Sequence, residues 1–355
     1  MTLVEAQKIF NEKLQEIISG RNKPTIMVCG YTGVGKTSLI QAILGKEVVP
    51  DEAIAHGAPG TINFFEYQDE FITLVDTRGF EPAMNEEEYI KTAKAEVQRR
   101  QKSRNVKDHI HLVWYCISAG VARITSTDIK FIKDVFPFQH IQVIITKSDF
   151  LEHRPQQKEA FLKILVENGI PDDKITFVSD VDAKGQPELV NKSLQVIPEA
   201  YRDAFISKQK IDLYRKKKKA KKIIAKNMTK ATAIGLIPLA DIPLLVPLQF
   251  EMMAQLADNY GFQKQEIKSL FGPTVMATIV TSFTATTAMD SIPVIGWVGG
   301  ALAVRTITAG IGHLANNYLC ECYKAIIEGY DVKSVKPFRL TKKGFEKVIK
   351  DHRAS

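Results

Sequence analysis

Cysteine is scarce in this chain. There are four in 355 residues, Cys29, Cys116, Cys320 and Cys322, and none has the paired spacing of a zinc site. That excludes a disulfide-stapled or zinc-knit scaffold and is expected of a reducing, cytoplasmic setting. A clean membrane-spanning run of about 20 apolar residues is also missing. Stretch 231–250 carries Asp241 and prolines 238, 243 and 247, stretch 269–289 is rich in Thr and Ser, and 291–304 is too short. A charge at mid-bilayer costs at least about 2.5 kcal/mol, so spanning is the less favoured arrangement and a soluble bundle or interfacial hairpins are preferred. The opening MTLVEAQKIFNEKLQEII lacks the apolar centre and small-residue cleavage site of a signal peptide. Acidic residues are in the minority, 40 against 48 basic ones, and the net charge of +8 points to an anionic partner, a nucleic acid or a membrane surface.

What is present organises into two halves. Residues 1–23 carry apolar positions at helical spacing (Leu3, Ile9, Phe10, Leu14, Ile17, Ile18) and predict a leading amphipathic helix. Over 24–206, the short apolar runs TIMVCG, INFFEY, FITLVD, HLVWYCIS, IQVIITK and KITFVS alternate with polar helical stretches. That pattern predicts an α/β domain whose mostly parallel sheet is covered on both faces. Only Gln68–Asp69–Glu70 separate INFFEY from FITLVD, too few for a crossover, so this pair is a hairpin and adds one antiparallel edge strand. Composition changes near 206. A basic linker helix (207–228), an α-helical hydrophobic hairpin domain (229–328) and a basic tail (329–355) follow. AIGLIPLADIPLL and AMDSIPVIGWVGG echo one another and suggest two helical hairpins.

Three motifs in the first half carry chemistry. Gly30-x-x-x-x-Gly35-Lys36-Thr37, running through Tyr31, Thr32, Gly33, Val34 and Ser38, follows a strand and opens a helix. Glycines let such a loop curl so that backbone N–H groups face phosphate oxygens, and the helix dipole adds positive charge. Lys36 reaches the β and γ oxygens, and the Thr37 hydroxyl suits Mg²⁺. Asp76-Thr77-Arg78-Gly79 ends the strand FITLVD: Asp76 can hold Mg²⁺ through water, and the Gly79 N–H can meet a γ-phosphate. Thr146-Lys147-Ser148-Asp149 follows IQVII. The Asp149 carboxylate can accept two hydrogen bonds from guanine, which adenine does not offer, so GTP or GDP is the expected nucleotide. Lys147 would cover the base, and the Ser179 N–H is placed to meet guanine O6.

Together these residues resemble the P-loop GTPases of the translation-factor-related class over residues 24–205. The loop spacing and Thr-Lys-x-Asp base reader are most similar to Era-like proteins, septins, chloroplast-import GTPases and immunity-related GTPases. The resemblance implies GTP hydrolysis with Mg²⁺, with Thr61 closing on the ion and on the γ-phosphate, and with Lys36, Thr61 and Gly79 as the catalytic set. It also implies pairing through the nucleotide face, as a homodimer, or action at membranes. Three departures stand out. Phe80 occupies the position where many members place the water-orienting Gln, which implies slow turnover. Gly33 stands where potassium-activated relatives have Asn, so no activation by K⁺ is expected. Thr146 replaces the more usual Asn of the base reader.

The block from Arg215 to Lys222 precedes the apolar region. It suits an anionic membrane surface, a nucleic acid or ribosome, or a solvated helix. The second half resembles an uncharacterised hydrophobic-hairpin domain that follows GTPase domains in bacterial proteins. That resemblance implies membrane contact, peripheral or integral. The expected function is a GTP-switched protein acting at a membrane, with a GTP-binding scaffold or an RNA-associated GTPase as the alternative.

Overall fold

The structure, a computed structural model, describes residues 2–49, 64–77, 85–121, 124–179, 181–236, 241–273, 275–277, 279–280, 296–336 and 338. The chain divides into two compact units, Asn22–Asp212 and Met1–Arg21 joined with Leu213–Ser355.

The first unit is built on a six-stranded sheet. Its strands are β1 (Thr25–Cys29), β2 (Phe64–Gln68), β3 (Thr73–Thr77), β4 (Ile110–Ser118), β5 (Ile141–Thr146) and β6 (Ile175–Phe177), in the order β2-β3-β1-β4-β5-β6. All neighbours are parallel except β2 and β3, the expected hairpin at the edge. The Asp69 carboxylate closes its turn by accepting from the Phe71 and Ile72 N–H groups at 2.7 and 2.8 Å. The central strands β1, β4 and β5 are buried along their whole length because both sheet faces are covered. On one face lie α3 (Glu86–Gln101), α4 (Ser126–Asp134) and α5 (Pro155–Glu167), packing Tyr89, Phe131 and Phe161 against Met27, Tyr115 and Val143. On the other lie α2 (Lys36–Leu44), α6 (Gln186–Val196) and α7 (Glu199–Lys208), packing Ile40, Val190 and Phe205 against Val28, Trp114 and Ile144.

This unit ends later than the composition shift near 206 suggests. Phe205, Lys208 and Gln209 are buried in it, and the Lys210 N–H donates to Ile43 O at 2.8 Å. The basic run begins only after these contacts are made.

The second unit is helical: α1 (Leu3–Ser19), α8 (Leu213–Ile234), α9 (Asp241–Tyr260), α10 (Lys264–Leu270) and α11 (Gly296–Ile327). The leading helix belongs here, not beside the sheet. Its apolar stripe puts Phe10 edge-on against Phe250, ring centres 5.8 Å apart, and against Phe271 at 6.3 Å. Lys230–Glu251, Asn227–Gln255 and Lys216–Asn259 pair in opposite chain directions, so α8 and α9 form an antiparallel hairpin. Gln249–Thr308 and Tyr260–Asn316 pair in the same direction, so α9 and α11 run parallel. Pro243 falls in the first turn of α9, where no intrahelical donor is needed. Among the described residues no helix is long and apolar enough to cross a membrane. Residues 281–295, which contain most of the second Ile-Pro echo, lie outside the described residues.

Candidate functional site

The loop Gly30–Ser38 connects β1 to α2. Gly30 has φ 133°, and a Cβ there would stand 2.2 Å from Cys116 O on the neighbouring strand β4, so no side chain fits. Gly35, with φ 98°, turns the chain into α2 in a left-handed conformation that side chains disfavour. The first amide groups of α2 have no intrahelical carbonyl to bond. Lys36, only 8% exposed, folds back over the loop and donates to Gly30 O at 3.1 Å and Tyr31 O at 3.0 Å. Burial lowers its pKa, and the Asp76 carboxylate opposes that shift by favouring the charged ammonium. Thr37 is half-buried at the helix start, and Ser38 is exposed.

Asp76 pairs in register with Val28, two residues before the loop. The neighbouring Thr77 hydroxyl donates to Val28 O at 3.0 Å and ties the end of β3 to β1. The sheet therefore brings Asp76 to the phosphate loop. Thr61, Arg78, Gly79 and Phe80 lie outside the described residues.

The segment Thr146–Asp149 closes β5 and opens the turn that follows it. Lys147 adopts a left-handed backbone, φ 53°, and its Nζ donates to Gly33 O at 2.9 Å, linking the two loops. Ser148 N–H is anchored on Val178 O at 3.1 Å. Asp149 Oδ1 is buried and has no hydrogen-bond partner among the described residues. It borders a groove of about 670 Å³ that runs past Phe177, Ser179 and Lys184. An acceptor held out of water without a donor is the feature that a nucleobase's N–H groups would satisfy.

Two residues assigned to nucleotide contact by sequence are engaged elsewhere. The Thr146 side chain is buried, its Oγ1 directed at Val34 O and, at 3.1 Å, at Ile117 O. Its hydroxyl ties the loop Gly30–Ser38 to the end of β4. The Ser179 N–H donates to Lys184 O at 3.0 Å, so it is not free for guanine O6. Its Oγ instead accepts from Val181 N–H at 3.2 Å and shapes the turn.

A model described as Septin matches residues 22–225. The chain belongs to the septin family of P-loop GTPases. The probable GTP-binding protein EngB of Clostridium botulinum (strain Eklund 17B / Type B) is 27% identical over 180 residues, 49% of this chain and 85% of that protein. Septin-2B of Xenopus laevis is 26% identical over 203 residues, covering 48% of this chain and 56% of that protein. The chain thus spans about half the length of the septins it matches. Among solved structures, Aquifex aeolicus Era bound to GDP and AlF4⁻ superposes with a TM-score of 0.37 at 16% identity, covering 50% of this chain and 58% of that one. Arabidopsis thaliana Toc33 with Mg²⁺ and GMPPNP gives 0.35 at 15% identity, covering 58% and 94%.

In this septin-family domain some features of the site escaped sequence reasoning. Tyr31 Oη lies 3.2 Å from Thr125 Oγ1. Thr125 in turn donates to Asp128, which also accepts from Tyr115 Oη at 2.8 Å. The chain of hydroxyls fixes the phosphate loop against α4. Its only sequence signal was the capping pattern Thr125-x-x-Asp128. Lys184 bridges Glu152 and Asp182 beside the groove at Asp149, and a lone lysine in a turn gave no warning of that.

Proposed function

We propose that this chain hydrolyses GTP to GDP and phosphate and works as a nucleotide-dependent switch. The observation that carries the reading is the joined pair of loops: Lys147 clasps Gly33 O, and two residues on Asp149 holds a buried acceptor without a partner. That arrangement supports recognition of guanine at one end and phosphates at the other. Phosphate oxygens would take over Lys36 from the carbonyls of Gly30 and Tyr31.

Thr37 and Asp76 fit Mg²⁺: a hydroxyl at the helix start and a carboxylate at the adjoining strand end are the hard oxygen donors the ion prefers. Thr61 would complete the set, and an ion held there would supply positive charge against the phosphates. In the reaction, water attacks the γ-phosphorus, the bond to the β–γ bridging oxygen breaks, and GDP leaves with phosphate. The Gly79 N–H would meet the γ-phosphate. Phe80 offers no group to orient the water, and we assign slow intrinsic turnover on that account. Loss of the γ-phosphate would release the segments around Thr61 and Gly79. Val121, Phe150 and Val181 expose apolar side chains around the base loop, which supports pairing with a second copy through this face. The helical unit is proposed to act at an anionic membrane surface.

Phe80 also favours a second reading, a scaffold that binds GTP without meaningful turnover. Multiple-turnover phosphate release with Lys36→Ala as control decides between them. Faster release by the wild type supports the GTPase. Equal release by both, with GTP binding retained in the wild type, removes the enzymatic role.

A further inference from the structure

From Leu213 to Ala240 the sequence contains no Asp or Glu. Helix α8 sorts its cations by environment. Lys216 is fully buried, with its ammonium 4.8 Å from the centre of the Tyr323 ring, and Lys230 pairs with Glu251 at 2.8 Å. Lys217, Lys218, Lys221, Lys222 and Lys226 are exposed, and no ion pair forms on any of the five among the described residues. Exposed side chains recur at positions 214, 218, 221, 225 and 229, the spacing of one helix face. Tyr214, 77% exposed, stands at one end of that face. Leu236, 55% exposed, lies two residues past the end of α8 at Ile234.

An uncompensated row of ammonium groups calls for an extended anionic partner. On a nucleic acid, lysines would meet phosphates, but this face exposes no Asn or Gln to read base edges, and Leu236 would be left in water. On a bilayer each part has a place. Lysines meet anionic headgroups, tyrosine sits at the interface, and leucine reaches the acyl boundary. A helix that is basic on one side and buried in its own bundle on the other lies along such a surface and does not cross it.

We infer that the solvent face of α8, with Lys217, Lys218, Lys221, Lys222 and Lys226 between Tyr214 and Leu236, is an in-plane docking surface for an anionic lipid bilayer. The inference rests on the membrane reading above and narrows it: the contact is a charged helix face, not apolar segments passing into the bilayer.

The test is flotation of the full-length protein with vesicles of phosphatidylcholine alone, or containing about 30% phosphatidylserine. The comparison is the variant Lys217→Gln/Lys218→Gln/Lys221→Gln/Lys222→Gln/Lys226→Gln, with GDP binding as the control for folding. The wild type is expected to float only with the anionic vesicles. The variant should partition at least about tenfold less while binding GDP normally. Equal flotation of both proteins overturns the α8 assignment and leaves the membrane reading standing. Failure of the wild type to float removes both. If the wild type then binds duplex RNA and the variant does not, the face is an RNA surface. Tyr214→Trp supplies a local readout: its emission shifts to the blue with anionic vesicles, and an unchanged spectrum in floated protein overturns the in-plane placement.

Discussion

The Lys208 ammonium lies 2.6 Å from Asp69 Oδ2, with the lysine side chain only 2% exposed. This contact ties the last residue of α7 to the turn of the β2–β3 hairpin. Glu47, just past α2, joins it at 3.1 Å. Three chain segments that are distant in sequence meet on one cation. Lys208→Met would leave Asp69 without its counter-charge and should cost about 3 kcal/mol of unfolding free energy in denaturant titration. A loss under about 0.5 kcal/mol would show that the contact is solvated in solution.

The same cluster sets an acid limit. Burial works to raise the Glu47 pKa, but Lys208 and Lys210 outweigh it, and the net shift is downward from 4.5. A carboxyl whose folded pKa is depressed stabilises the protein above its unfolded value. That contribution is lost as pH falls through the lower folded value. Stability below about pH 4.5 should therefore fall more steeply in the wild type than in Lys208→Met. Parallel slopes would dissociate Glu47 from the effect.

His111 predicts a second, milder window. Its Nδ1 accepts from Thr25 N–H at 3.0 Å where the register between β1 and β4 shifts. Burial first, then the charges of His109 and His140, lower its pKa from 6.5 to about 4. The folded state thus favours the neutral ring. Its contribution is complete above pH 6.5 and declines as pH falls toward 4, by on the order of 2 kcal/mol. Thermal melts across this range should show the decline in the wild type, and His111→Gln should flatten it.

Asp149→Asn tests the base reader. An amide replaces one acceptor with a donor, so guanine loses a paired hydrogen bond and gains a donor clash. GTP affinity should drop at least about a hundredfold, and xanthosine triphosphate, which has a carbonyl at that position, should bind better than GTP. An unchanged preference for GTP would place the base elsewhere.

Thr146→Val separates positioning from contact. The variant keeps the shape but removes the hydroxyl from Val34 O and Ile117 O, at about 1–2 kcal/mol of stability. Because the hydroxyl holds the phosphate loop, GTP and ATP affinities should weaken by similar factors. A selective loss of GTP would show that Thr146 reads the base after all.

Much of the nucleotide domain was legible because its signals are local. A strand, a glycine loop with lysine and threonine, and a helix lie within Thr25–Leu44. The β2–β3 hairpin is declared by the short turn at Gln68–Glu70. Periodicity along a few residues sufficed for those elements, and the order of motifs sufficed for the family. By itself the sequence also determined that α8 would be basic and free of acids, since composition is a property of the chain alone. It did not decide which lysines of α8 face water. Lys216 and Lys217 are neighbours in the chain, but packing against Tyr323 buries the first and leaves the second exposed. Nor did it decide that α1 joins the helical unit, that Thr146 and the Ser179 N–H spend their hydrogen bonds inside the protein, or that the first unit runs on to Asp212. Each of these depends on a partner far away along the chain, and only the closed tertiary structure brings such partners within the few ångströms over which hydrogen bonds and packing act.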